Sequence, residues 1–356
     1  MNRGINKPGA AKLRPRCAAM AVGSLPYQEI EPALDIVLET TPEVPAWPQL
    51  PRRSFLENMY VQFSEGLPGL KVDIVAERLV KRNEVPDTEL VAFAEALEGN
   101  DATFFAVSPD HAAGLYAFPT LYGRLRRPVD VIKGQITGPV SFCLQVTDED
   151  RRPILYDDTT RELAAELLTA RARWQQGFLQ AVAPAAAVLM MVDEPFLAQW
   201  GSGYLSMPED VVMPLLDRVV GSLDCLVGIH ICGGTDWSKV VELPLDLLNF
   251  DAADHLDAVV AHAEALASFV AEGGMLAWGA VPNDERVLTL EPDQAAGSVL
   301  EGVGALSATG LVSREDVLLQ SFVTPACGTG ALPIPVAEAC LRLTAAVSST
   351  VRSSVL

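Results

Sequence analysis

Histidine is scarce in this chain. Only four occur among 356 residues, at positions 111, 230, 255 and 262, so a metal centre built from imidazoles alone is not expected. Basic residues are also few: 26 Lys and Arg face 46 Asp and Glu, a formal net charge of −20. Binding to phosphate backbones or to an anionic membrane surface needs a positive face, so neither nucleic acid nor membrane is expected as a partner. No run of about 18 uninterrupted apolar residues is present, which argues against a membrane-spanning helix. The opening stretch MNRGINKPGAAKLRPR is basic and lacks the apolar centre of a secretory signal, so residues 1–17 read as a disordered leader and the protein as cytoplasmic. The six cysteines, at 17, 143, 225, 232, 327 and 340, are scattered along a long chain. That spacing does not suggest a disulfide framework, and a metal or thiol role for some of them is the better reading.

What the chain does have is apolar material, at 49% of residues with 20% charged, enough for a large core. Short apolar runs alternate with longer helical patterns. The runs are CAAMAVGSLP (17–26), VDVIKGQITGPV (129–140), AAVLMMVDEP (186–195), CLVGIHICGG (225–234), LDLLNFDAAD (245–254), GMLAWGAVP (274–282) and DVLLQSFVTPACG (316–328). Near-continuous apolar character marks strands buried on both faces. Between them lie amphipathic stretches at 159–183, 207–223, 255–274 and 292–310. Such alternation predicts a parallel sheet with helices outside it, and this number of units favours a (β/α)8 TIM barrel spanning 18–356 as one domain. An eighth strand is expected between residues 69 and 110. The proline- and aromatic-rich stretch 40–69 reads as part of an insertion, about 40–128, that folds over one mouth of the barrel.

Polar side chains collect just after the apolar runs. Gly23 and Ser24 follow the first, Thr137-Gly138-Pro139 the second, and Asp193-Glu194-Pro195 the third; His230 and Cys232, Asp251 and finally Cys327 follow later runs. In a barrel these strand ends share the face where active sites form. His230 and Cys232 are two apart on a strand and so emerge on one side. A lone His-x-Cys is more often core packing. Its position at an active-face strand end, with Cys327 at another and glycines beside both cysteines, favours a metal such as zinc, which takes nitrogen and thiolate ligands. The remaining four cysteines read as core. Asp193 and Glu194 face opposite ways, one into the mouth for ammonium recognition or general-base work and one bracing a loop or helix.

The motifs VGSLP, TGPV, VDEP, HIC and PACG, in this order, resemble the catalytic half of cobalamin-independent methionine synthase and, more broadly, the uroporphyrinogen-decarboxylase-like barrels. The resemblance spans roughly residues 18–345 and implies a core-only form without an additional N-terminal barrel. It implies Zn2+ held by His230, Cys232, Asp251 and Cys327, with aspartate where the family usually has glutamate. It implies homocysteine, or a related thiol, bound by Gly23, Ser24, Asp193 and Glu194, with Asp193 in the catalytic set. A family tryptophan after TGPV supports the folate donor, whereas Gln145 stands near that place here. The implied methyl donor is therefore a methylcorrinoid of the methylcobalamin kind, with a corrinoid protein as candidate partner. Two rival readings are a uroporphyrinogen-type decarboxylase, to which Arg52 and Arg53 would suit acidic substrates, and a non-enzymatic corrinoid or metal accessory protein.

Overall fold

The computed structural model of the protein describes residues 13–200 and 207–355. Among the described residues, ten strands run in chain order: β1 (Ala18–Ala19), β2 (Leu70–Asp73), β3 (Arg78–Lys81), β4 (Val131–Thr137), β5 (Thr147–Asp148), β6 (Ala187–Asp193), β7 (Leu226–Ile231), β8 (Leu247–Asp251), β9 (Met275–Val281) and β10 (Ser321–Pro325). Seven of them form one parallel sheet in the order β1-β10-β9-β8-β7-β6-β4. These are the seven expected apolar runs. Each strand of this sheet is buried almost throughout, because side chains of one face fill the interior while those of the other meet the surrounding helices.

The edges β1 and β4 are joined by a stretch that the sequence placed in the insertion. Lys133 N–H donates to Pro45 carbonyl at 3.0 Å, and Ala46 bridges Lys133 in parallel. On the other side Gln49 bridges Ser24, with Gln49 N–H on Gly23 carbonyl at 3.0 Å and Leu25 N–H on Gln49 carbonyl at 2.8 Å. Residues 45–49 thus fill the eighth place and complete the (β/α)8-like barrel. Pro45 and Pro48 have no N–H to give to a ladder, which is why the segment bridges at single points instead of forming a strand. Trp47 anchors it, its indole N–H donating to Gln175 at 2.8 Å. The eighth strand is therefore not at 69–110, as expected. That region contributes β2 and β3, an antiparallel hairpin that pairs with β5 in a separate small sheet.

The helices follow their sequence signals closely. Asp158–Val182 starts at Asp157, whose carboxylate accepts from Thr160 N–H at 3.2 Å. Glu209–Gly221 and Pro292–Ala308 also stand where amphipathic stretches predicted them. The stretch 255–274 breaks into Leu256–Val260 and Ala263–Ala271, and the start of 316–328 belongs to the helix Arg314–Leu319. The final helix, Ile334–Val355, is long and apolar enough to cross a bilayer, but it packs along β1 and β10. Its Ser348 hydroxyl donates to Cys17 carbonyl at 2.6 Å, and Val347 and Val351 are fully buried. Cys17, Cys143, Cys225 and Cys340 are core residues, as expected.

Candidate metal centre

At the C-terminal ends of the parallel strands, register places four polar side chains in one row. Thr137 of β4 lies opposite Asp193 of β6, Asp193 opposite His230 of β7, and His230 opposite Asn249 of β8. Registered residues on neighbouring strands point the same way, so the row faces one side of the sheet. Cys232 follows β7 by one residue, and Cys327 follows β10 by two. There the chain brings together what lies almost a hundred residues apart in sequence. A ring nitrogen of His230 and the sulfurs of Cys232 and Cys327 all lie within 4.8 Å of one another. Neither cysteine is in a disulfide, and both are only partly covered.

Asn249 determines which face His230 offers. Its amide nitrogen donates to Ala277 carbonyl and to Thr324 Oγ1, both at 2.9 Å. A backbone carbonyl only accepts, so the amide nitrogen must point there and the Asn249 oxygen must face the imidazole. That oxygen lies 2.7 Å from His230 Nδ1, which therefore carries the proton. In the neutral ring, Nε2 is then left with a lone pair. Nε2 is buried and has no hydrogen-bond partner among the described residues. An imidazole held by one nitrogen, with the other buried and unpaired beside two sulfurs, fits a metal ligand.

The charges of the group agree with this. Contact with Cys327 first, and with His230 second, pulls the Cys232 thiol down to about 4 against the opposing effect of burial. The same sulfur pair pushes Cys327 upward. Burial works against protonation of His230, but contact with Cys232 and the negative charge of Asp193 outweigh it and raise its pKa. Together these shifts favour a thiolate–imidazolium pair, and a cation that took the site would displace the proton from the ring nitrogen as it met the thiolate.

The other expected site residues divide. Asp193 faces the mouth; it is buried, its Oδ1 has no partner among the described residues, and desolvation lifts its carboxyl to about 6 while His230 and Lys133 pull it back. Glu194 points the other way, as the alternation required, and braces the helix Pro139–Gln145. Its carboxylate accepts from Val140 N–H at 2.9 Å, Ser141 N–H at 2.8 Å and Ser141 hydroxyl at 2.6 Å, and the side chain is fully buried. Those bonds take both of its oxygens, so Glu194 holds the TGPV turn and is not presented to the mouth. Gly23 has φ of +144°, and a Cβ there would come 2.9 Å from Gln135 and Gln49, so only glycine suits this crossing. Ser24 ties the first strand to the loop after Cys327: its carbonyl accepts from Thr329 N–H at 2.9 Å and its hydroxyl from Gly330 N–H at 3.3 Å. Asp251 stands outside the group of His230, Cys232 and Cys327. Its Oδ1 accepts from Ala253 and Asp254 N–H groups, both at 2.9 Å, and so shapes the turn after β8.

Sequence reading missed three contributors. Asn249 sits two residues before Asp251 and so shares its face, and a lone amide within an apolar strand was the available signal. Lys133 is fully buried in β4, its ammonium donating to Val22 carbonyl at 2.6 Å and Gln135 Oε1 at 3.0 Å. Desolvation lowers its pKa to about 8 while the charge of Asp193 supports it, and a lysine inside an apolar run always needs such a partner. Tyr60, on the loop beyond the eighth place, feels burial first and then the charges of Glu194, Cys232 and Asp193, which together raise its phenol pKa. It lies close to the mouth. Nothing in the sequence around Tyr60 separates it from its aromatic neighbours. Among the other histidines, His111 is buried against Ser108 and Glu65, and His255 and His262 lie near Asp251 and Asp236.

No protein-family model matches the chain, and no curated protein matches it. Solved structures do. A Listeria monocytogenes protein named as a "putative vitamin-B12 independent methionine synthase" superposes with a TM-score of 0.53 at 16% identity, over 90% of this chain and 85% of that one. A B12-independent methionine synthase from Shewanella sp. W3-18-1, in complex with selenomethionine, gives a TM-score of 0.48 at 18% identity over 67% of each chain. The likeness to the Listeria protein is one of fold. It agrees with the barrel.

Proposed function

We infer that the protein is a zinc-dependent thiol methyltransferase of the methionine-synthase kind, which passes a methyl group to homocysteine or a related thiol. The observation that carries this reading is the convergence of a ring nitrogen of His230 with the sulfurs of Cys232 and Cys327 at the barrel mouth. One imidazole and two thiolates make a donor set that zinc takes, with a position left over for substrate. The fold shared with the Listeria protein supports the same reading. Bound Zn2+ supplies the means to keep a substrate thiol ionised at neutral pH, where a free thiol is mostly protonated.

The chain's own groups supply the rest. Asn249 fixes the imidazole tautomer. Asp193 offers a buried oxygen without a partner, suited to the ammonium of an amino acid, and the buried Lys133 nearby favours its ionised form. Ser24 holds the segment after the first strand against the loop that follows Cys327, and Gly23 accepts from Gln49 of the eighth place. Tyr60 lies near Cys232 and Asp193, where its phenol can meet a bound substrate. Asp251 stands outside the ligand group with its Oδ1 held by its own turn, so a substrate sulfur or a water is the preferred fourth ligand. Gln145 ends the helix after TGPV and offers no aromatic platform for a pterin, which favours a methylcorrinoid, free or on a corrinoid protein, over methyltetrahydrofolate. A decarboxylase of the uroporphyrinogen type would leave the sulfur pair without a task.

Elemental analysis of untagged protein tests the centre: about one zinc per chain, lost in Cys232→Ser and in Cys327→Ser, is expected. Native protein without zinc would refute it. Incubation with homocysteine and either methylcobalamin or methyltetrahydrofolate tests the donor, methionine forming only with the first.

A further inference from the structure

A cleft of about 780 Å³ opens at the mouth between the loop 51–61, the tip of the β2–β3 hairpin and the end of the TGPV helix. Its wall includes Arg52, Arg53, Tyr60, Leu79 and Gln145. Three connections lead from it toward the sulfur pair, neither sulfur of which lines it. Tyr60 lines the cleft and also feels the charge of Cys232 and Asp193. Arg52 donates through Nε to Gly330 carbonyl at 3.1 Å and through Nη2 to Ala331 carbonyl at 2.5 Å, in the loop that begins at Cys327. Gln145 closes the helix whose first turn Glu194 braces.

Two adjacent guanidiniums at the mouth of a chain with net charge −20 need an explanation. Neither is loose. Arg52 is fixed by two carbonyls, and Arg53 is gripped from behind by Glu57, its Nε donating to Oε1 at 2.9 Å. The Glu57 side chain is wholly buried, while that of Arg53 is 37% exposed. Among the described residues, only Nε of Arg53 is engaged, so its terminal amino groups remain available. A guanidinium whose direction is set in advance, with donors unspent, is suited to planar oxyanions.

We propose that this cleft is a second subsite of the mouth, in which Arg53, positioned by Glu57 and flanked by Arg52, binds an oxyanion carried by one of the two reactants. The inference deepens the thiol-methyltransferase reading, on which its placement beside the sulfur pair rests. The oxyanion belongs either to the acceptor, as a carboxylate at the far end of the thiol, or to the methyl donor.

The test uses the full zinc-loaded chain and its Arg53→Gln variant at constant ionic strength, with zinc content and unfolding midpoint checking that the variant is intact. In calorimetry, 3-mercaptopropionate binds the unaltered protein about tenfold or more tightly than neutral 2-mercaptoethanol, and Arg53→Gln removes most of that preference. If the two thiols tie but Arg53→Gln raises the KM for methylcobalamin about tenfold, with that for homocysteine unmoved, the oxyanion is the donor's. A thiol-free arm reads the cleft alone: sulfate raises the unfolding midpoint of the unaltered protein more than that of Arg53→Gln. Failure of every thiol to bind, with the sulfate difference intact, would sink the methyltransferase reading and keep the cleft. Thiols that tie, an unmoved donor KM and a sulfate response indifferent to Arg53 overturn the proposal.

Discussion

Replacing Asn249 by leucine, of nearly the same volume, should uncouple the imidazole from its support without touching a ligand. The side chain makes three hydrogen bonds, at 2.7 Å to His230 Nδ1 and at 2.9 Å to Ala277 carbonyl and to Thr324 Oγ1. Each buried group left unpaired costs about 1–3 kcal/mol, so the metal-free fold should also lose stability. With no acceptor at Nδ1, the ring no longer has a preferred tautomer or a fixed rotation. Loss of such an outer partner typically lowers metal affinity about 10–100-fold, equivalent to about 1.4–2.7 kcal/mol. Competition for zinc with a chromophoric chelator measures this directly, and thermal unfolding of the metal-free forms reports the structural cost separately. Asn249→Asp keeps an acceptor at Nδ1 and should retain more of the affinity than leucine, despite setting an oxygen against Ala277 carbonyl. If Asn249→Leu folds and holds zinc as tightly as the unaltered chain, the assignment of His230 Nε2 as a ligand fails.

Gly114→Ala would set a Cβ 1.8 Å from the carbonyl oxygen of Pro48, a backbone atom that cannot move without displacing the eighth place. A loss of about 1–3 kcal/mol or more in denaturant unfolding is expected. Burial lifts the Glu57 carboxyl from 4.5 to about 7, against the pull of Arg53. The folded chain therefore keeps a proton that the unfolded chain releases, and stability falls as pH rises from about 4.5 to 7. Glu57→Gln should flatten that part of a pH series of unfolding midpoints. Lys133→Met removes a cation that favours ionised Asp193, so the acid limb of homocysteine binding should move to higher pH. An unmoved limb would separate Lys133 from Asp193.

Much of this was legible in the chain because parallel strands buried on both faces leave little room for disguise. The runs at 129–140, 186–195, 225–234, 245–254 and 274–282 became β4, β6, β7, β8 and β9, since apolar continuity and flanking turns both pointed there. His230, Cys232 and Cys327 could be picked out because each ends or follows a strand on one face. Residues 45–49 escaped for a physical reason: two prolines and a tryptophan erase the strand signal, and the segment holds its place by tertiary bridges that no local pattern announces. The hairpin at 70–81 misled in the opposite sense, having strand character without a place in the barrel. Asp251 was favoured by its position, but the short aspartate side chain reaches its own turn first. Alternation alone could say that Asp193 and Glu194 diverge, and only the packed helix showed which one turns outward.

The cylinder is laced along seven staves and merely pinned along the eighth. Thermal opening begins where the fewest bonds must part together, so amides flanking Trp47 should exchange with solvent before those of the neighbouring walls. The loop that carries Tyr60 continues directly from that pinned stave. Loosening there should be felt at the mouth of the partly covered sulfurs, although the segment lies far from them along the polypeptide.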